Sequence, residues 1–241
     1  MNPVFPHIPP EQLHGPIYCE TGHPWLGMAE PVNTITNAAI ILAAYLAYRY
    51  VRRSGVKMSF DLGLLLVLLT AVGIGSFLWH GLRTHWALQL DWIPGVAFLI
   101  AFTFLWFRQL FGWVWGVLGA VAMYAGVIAS VALTWHFFGG LQSATSNLRF
   151  VPGFAIITLF GAGLVFATAR QYGRAAGMQG VAILLCGVGA AVARSIDLLV
   201  CSFIPAGTHF LWHLLLSTAA CLGILLMVRM KKARAALQPS P

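Results

Sequence analysis

An all-helical bundle crossing a membrane seven times is the fold class this sequence predicts, on three observations. Hydrophobic residues make up 59% of the chain and charged residues 8%. Mean hydropathy is +0.82. Seven apolar stretches are long enough to supply the roughly 20 residues that a helix needs to cross a hydrocarbon core. Soluble domains carry about 25% charged residues, so that class is excluded. The stretches lie at 31–52, 60–82, 88–110, 113–137, 148–170, 177–200 and 206–230. Their connections are too short to house a second domain. The organisation is an N-terminal segment (1–30), a seven-span domain (31–230) and a short tail (231–241).

The first span opens at Glu30-Pro31, where proline suits the first turn of a helix and a carboxylate is favoured. Residues 1–28 have neither a basic nor an apolar signal-peptide region, so this span is expected to act as its own insertion signal. The second span carries Ser76 and His80 near its end. A short turn over 81–90 leads back to Asp91 at the start of the third. The fourth ends near His136, the sixth holds Arg194 and Asp197, and the seventh begins with His209-Phe210-Leu211-Trp212-His213. From 229 onward, alanine, lysine and arginine read as a solvated end.

The formal net charge of +8 invites a nucleic-acid reading, but its placement argues for topology instead. Arg49, Arg52, Arg53, Lys57, Arg108, Arg170, Arg174, Arg229, Lys231, Lys232 and Arg234 fall on one side if the spans alternate. Only Arg83 and Arg149 fall on the other, and Arg194 lies within the sixth span. The positive-inside rule then expects the N-terminus outside and the C-terminus in the cytoplasm, with some attraction to anionic lipid.

This topology collects the polar residues. His80, His209, His213, Ser76, Asp91, Asp197 and Glu30 all come to the outer half, and Asp61 is the carboxylate left at the inner side. His209 and His213, spaced i and i+4, project from one helix face. Ionisable groups at membrane depth are costly and mark functional sites. Three imidazoles with an open fourth position form a catalytic zinc arrangement, in which the metal lowers the pKa of bound water to about 7. Imidazole also suits copper, nickel and iron. Arg194 and Asp197, spaced i and i+3, are expected to form an ion pair. Glu30, Asn33 and Asn37 share a face and are expected to serve as a structural hydrogen-bonding stripe. His7, His14, His23 and His85 read as interfacial.

The order Glu30-x6-Asn37, Ser76-x3-His80, Asp91 and His209-x3-His213 over seven spans resembles the alkaline ceramidase family. That family belongs to a wider membrane-hydrolase superfamily that includes adiponectin-receptor-like proteins. The run Ala29-Glu30-Pro31-Val32-Asn33-Thr34-Ile35-Thr36-Asn37 resembles the family's first-helix signature, and Tyr18-Cys19-Glu20 and Ile196-Asp197 with Cys201 resemble further segments. The resemblance implies a zinc-dependent amidase acting on the N-acyl bond of ceramide or a related lipid, releasing a sphingoid base and a fatty acid. It makes His80, His209 and His213 the zinc ligands. Ser76 would steady the metal site or the oxyanion, and Asp91 would handle protons. The family's calcium loop is carried over only in part. Glu20 is kept, but Ile17 and Gly22 stand where other oxygen ligands are expected, so Glu20 and Glu30 are expected to form an incomplete calcium site or a structural polar site.

Cys19 and Cys201 both fall on the outer, oxidising side of this topology. A disulfide between them is expected, with two free thiols as the alternative. The alternative function is a receptor-like protein of the same superfamily with a mainly structural zinc. A transporter ranks lower, since no repeat or broken helix pair is seen. The expected partner is a lipid substrate, not nucleic acid. The expected location is a bacterial inner membrane, with endoplasmic reticulum or Golgi second.

Overall fold

The computed structural model describes residues 15–138 and 147–237. Its helices are α1 (Pro31–Thr36), α2 (Ala38–Arg53), α3 (Phe60–Leu82), α4 (His85–Phe111), α5 (Trp113–Phe138), α6 (Val151–Tyr172), α7 (Arg174–Ile196) and α8 (His209–Leu237). Among the described residues there is no strand. Among these described residues seven helical stretches are long and apolar enough to cross a membrane, the first combining α1 and α2. The chain therefore has the character of a multi-pass membrane protein. His7 and His14 lie outside the described residues; His23 and His85 are exposed.

The first span is broken, where hydropathy alone predicts one continuous helix. Asn37 donates its N–H to Thr34 at 3.2 Å, a tightened i→i−3 turn. The Thr36 hydroxyl meets the carbonyls of Val32 and Asn33 at 2.8 and 3.1 Å. Such local side-chain bonding competes with the regular ladder and bends helices. Beyond the break, Ile40, Ala43, Ala44, Ala47 and Val51 form the buried face of α2, which packs on α3 and α8. Small residues on this face let the helices approach closely, as membrane bundles require.

α3 and α4 form the tightest antiparallel pair that concerns the site. A side chain at Gly75 would overlap the Leu90 carbonyl, so only glycine permits this crossing. Between the two helices Arg83 takes the left-handed conformation, with φ of 53°. That conformation costs roughly 1–2 kcal/mol for a residue with a Cβ. Three interactions of the buried guanidinium offset the cost: the Pro16 carbonyl at 2.8 Å, Glu30 at 3.3 Å and the Trp79 ring at 4.1 Å.

The opposite end of the bundle is held by charge. Asp61 on α3 meets Lys231 of α8 at 2.8 Å and Arg108 of α4 at 3.2 Å. Arg234 donates to the Gln109 carbonyl at 2.5 Å and the Tyr172 hydroxyl at 3.0 Å. α8 thus runs unbroken to Leu237, and Lys231 and Arg234 are engaged where a solvated tail was expected. The helix had reason to continue: alanine, lysine and arginine are strong helix formers.

Candidate metal centre

Two turns of α8 and the last turn of α3 bring three imidazoles together. His80, His209 and His213 are each almost wholly buried. One ligand nitrogen from each lies within 4.8 Å of the others. The ring centroids are 5.2 Å apart for His80–His209, 4.8 Å for His80–His213 and 4.7 Å for His209–His213. Tetrahedral zinc with nitrogens at about 2.0–2.1 Å needs them roughly 3.3 Å apart, a small closing motion for side chains already facing one point. Among the described residues, no other set of three or more histidines, cysteines or carboxylates could hold a metal ion.

The surroundings fix which ring nitrogens are free. Glu30 Oε2 lies 2.5 Å from His80 Nδ1, so that nitrogen carries the proton and Nε2 keeps its lone pair. The Thr36 oxygen lies 3.0 Å from His213 Nδ1. Its hydroxyl proton goes to Val32 at 2.8 Å, so here too Nδ1–H is the donor. Carboxylate and hydroxyl partners of this kind orient metal-binding histidines. His209 Nδ1 is buried and has no hydrogen-bond partner among the described residues. A buried imidazole trio with two Nε2 lone pairs free fits a transition metal.

Backbone contacts place Glu30. Ala29 and Glu30 donate their N–H groups to the Gly81 and His80 carbonyls at 2.9 and 3.0 Å. The carboxylate also receives the Thr21 hydroxyl. Glu30 is therefore the carboxylate of a carboxylate–histidine pair, a role that the shared face with Asn33 and Asn37 did not reveal. Those two asparagines are wholly buried beside it, and Asn37 Nδ2 donates to the Asn33 carbonyl at 2.8 Å.

His209 is placed from the other side. Asp197 Oδ1 accepts the backbone N–H groups of Thr208 and His209 at 2.7 and 2.8 Å, and its Oδ2 accepts that of Cys19 at 2.9 Å. A carboxylate at the start of α8 is favoured by the free N–H groups there. Gly207, at φ of 66°, makes room for it, since a side chain would collide with Asp197. The expected Arg194–Asp197 ion pair is absent: α7 ends at Ile196, and a single 3₁₀ turn over Asp197–Leu199 takes Asp197 off the helical face. Arg194 instead lies 5.0 Å from the Trp212 ring and 4.9 Å from that of Phe150.

Cys19 and Cys201 are joined by a disulfide, which ties the N-terminal segment over the site. Tyr18, next to Cys19, stacks on His209 with centroids 3.7 Å apart. Burial pushes its phenol up to about 12, so the ring is a neutral cover.

Ser76, one turn before His80, lies close enough to Asp91 to act on its carboxylate. Asp91 feels the charge of His80, but its oxygens do not join the three-histidine group. The residues around Glu20 and Glu30 do not fit calcium. Glu20 accepts the N–H groups of Val32 and Asn33 at 2.5 and 2.9 Å, capping α1. Burial raises its pKa against the pull of those donors. Glu30 faces His80 and Arg83. Donors and a guanidinium surround these carboxylates in place of the six to eight oxygens that calcium takes.

No protein-family model matches the chain, and no curated protein matches it.

Proposed function

We propose that the chain is a membrane-embedded zinc amidase that hydrolyses the N-acyl bond of ceramide or a related N-acyl lipid. The observation that carries this reading is the buried three-histidine cluster with Asp91 and Ser76 beside it. His80, His209 and His213 would hold the ion, which supplies a Lewis acid and makes water nucleophilic at neutral pH. The absence of a fourth histidine, cysteine or carboxylate from the group, among the described residues, supports an open coordination position.

The remaining work belongs to the chain's own side chains. Asp91 accepts a proton from the attacking water and passes it to the amine as the amide C–N bond breaks. The hydroxyl stays on the carbonyl carbon, giving the fatty acid. Ser76, whose hydroxyl has one proton to give, steadies the Asp91 carboxylate. Glu30 and Thr36 keep His80 and His213 in one tautomer. Tyr18 and the disulfide-tied segment limit water at the centre.

The basic residues gathered at the opposite end of the bundle support a topology with this site on the outer face. A bacterial inner membrane is the location we favour. Incubating the purified full-length protein with a panel of N-acyl lipids and detecting the released amines by mass spectrometry tests the function. Turnover of at least one N-acyl lipid by the wild type, absent in His209→Ala, is expected. No release from any of them would overturn the reading.

A further inference from the structure

Beside the histidine cluster lie two guanidinium groups that, among the described residues, have no carboxylate partner. Arg149 stands on the single 3₁₀ turn Asn147–Phe150, which packs on α6 and α7. Arg194 sits in the last turn of α7. Their guanidinium carbons lie 4.8 and 4.9 Å from the centroid of the same Phe150 ring, and their charges act on one another. Arg149 Nε is buried and, among the described residues, has no hydrogen-bond partner; the same is true of Asn147 Nδ2, two residues earlier.

The side-chain carboxylates of the described residues are all engaged elsewhere. The sequence holds six Asp and Glu residues. Glu20 caps α1, and Glu30 is on His80 and Arg83. Asp61 is at the far end, Asp91 lies beside Ser76 and within the field of His80, and Asp197 is on three backbone N–H groups. The sixth, Glu11, lies outside the described residues. Two half-buried cations whose charges act on one another are unfavourable until an anion joins them. Stacking on aromatic faces offsets only part of that cost.

The location narrows the anion. The Tyr18 ring stacks on His209 at 3.7 Å and lies 5.9 Å from the Arg194 guanidinium carbon. Arg194 is thus about one aromatic ring away from the cluster, and its charge is felt at His209, His213 and Asp91. Phe150, Trp212 and Tyr18 give the pair apolar walls at the end of a membrane bundle. Forked guanidinium donors match the planar or tetrahedral oxygens of carboxylate and phosphate.

We propose that Arg149 and Arg194 form a recognition site for an oxyanion carried by an amphiphile bound at the histidine cluster. The site takes a carboxylate or phosphate head attached to an apolar chain. That this amphiphile is the substrate or product rests on the amidase reading; the binding itself does not, and it is measured without turnover.

The test uses full-length protein in neutral detergent, with tryptophan emission as the readout, since Trp212 lies 5.0 Å from Arg194. The probes are dodecyl phosphate, dodecanoate, dodecanol and inorganic phosphate. Binding of dodecyl phosphate or dodecanoate at least tenfold tighter than dodecanol is expected. Arg149→Gln and Arg194→Gln should each weaken it by about tenfold or more, while Arg170→Gln on the exposed far end leaves it unchanged. Equal binding of the charged and neutral probes to the wild type overturns the proposal whether or not the variants fold. So does binding of inorganic phosphate as tight as that of the amphiphiles, or undiminished binding in folded Arg149→Gln and Arg194→Gln. A tenfold gain in Glu11→Gln would show that the pair already has a carboxylate, and would also overturn it.

Discussion

Glu30 and His80 are fifty residues apart in sequence, yet the Glu30 carboxylate lies 2.5 Å from His80 Nδ1. The same carboxylate is 3.3 Å from the Arg83 guanidinium, and all three side chains are essentially sealed from solvent. One buried anion therefore fixes a ring tautomer and neutralises the cation that makes the α3–α4 turn.

Two losses should appear together in Glu30→Gln. Removing the charged partner of a metal-binding histidine typically lowers metal affinity about 10–100-fold. Breaking a buried ion pair on one side destabilises by about 3–5 kcal/mol, here by putting an uncharged amide beside the Arg83 guanidinium. Competition with a chromogenic chelator reads the first, and thermal melting the second. Wild-type zinc affinity in a folded Glu30→Gln protein would show that His80 needs no such partner.

Metal content follows from the cluster itself. One zinc per chain is expected in the wild type and none in His209→Ala, because two imidazoles from separate helices are a poor site for a metal that takes four ligands. Elemental analysis of both purified proteins decides it; equal metal content would place the metal elsewhere.

The parts of this arrangement legible in the sequence are those set by local periodicity. Hydropathy locates the seven spans, and the i,i+4 spacing puts His209 and His213 on one face of α8 because both lie within two turns of one helix. The join of His80 to that pair follows from span alternation, which brings the end of α3 and the start of α8 to the same depth. The partners of the ring nitrogens are a different matter. Thr36 meets His213 across 177 positions, and that contact depends on the break at Asn37 and on helix rotation, neither of which has a period. Arg194 and Asp197 show the reverse: a helical spacing suggested a pair, and a 3₁₀ turn at the helix end removed it.

Gly75→Ala should disturb the site without touching it. The added methyl would collide with the Leu90 carbonyl, so α3 and α4 must separate where Ser76 and Asp91 meet. Overpacking of this kind typically costs about 1–3 kcal/mol. A lower melting temperature is expected, with amide hydrolysis falling further than zinc content. A variant with unchanged stability and turnover would mean that the helices shift freely at this crossing.

The Cys19–Cys201 disulfide closes a sequence separation of 182 residues and holds Tyr18 on His209. Loss of a native disulfide typically costs about 2–5 kcal/mol in small secreted domains. Cys201→Ser is expected to melt earlier and to turn over more slowly, since Tyr18 is then free to leave the ring it covers. Mass spectrometry of the wild type should find neither cysteine alkylated until reductant is added. Alkylation of both without reductant would contradict the bridge.

Asp91 offers the sharpest division between catalysis and structure. It lies outside the three-histidine group yet is close to Ser76 and feels His80, so the proposed amidase reading has it move a proton without holding the metal. Its amide counterpart keeps the size and one acceptor oxygen but cannot take the proton. Asp91→Asn is therefore expected to keep zinc and fold while losing about 10²–10⁴ in amide hydrolysis, the range for a positioned general acid–base. Ser76→Ala should lose less, because Asp91 remains ionisable without it. Full activity in Asp91→Asn would refute the proton role. Loss of zinc along with activity would instead make Asp91 a ligand or a positioning residue for one, and the two measurements together separate these outcomes.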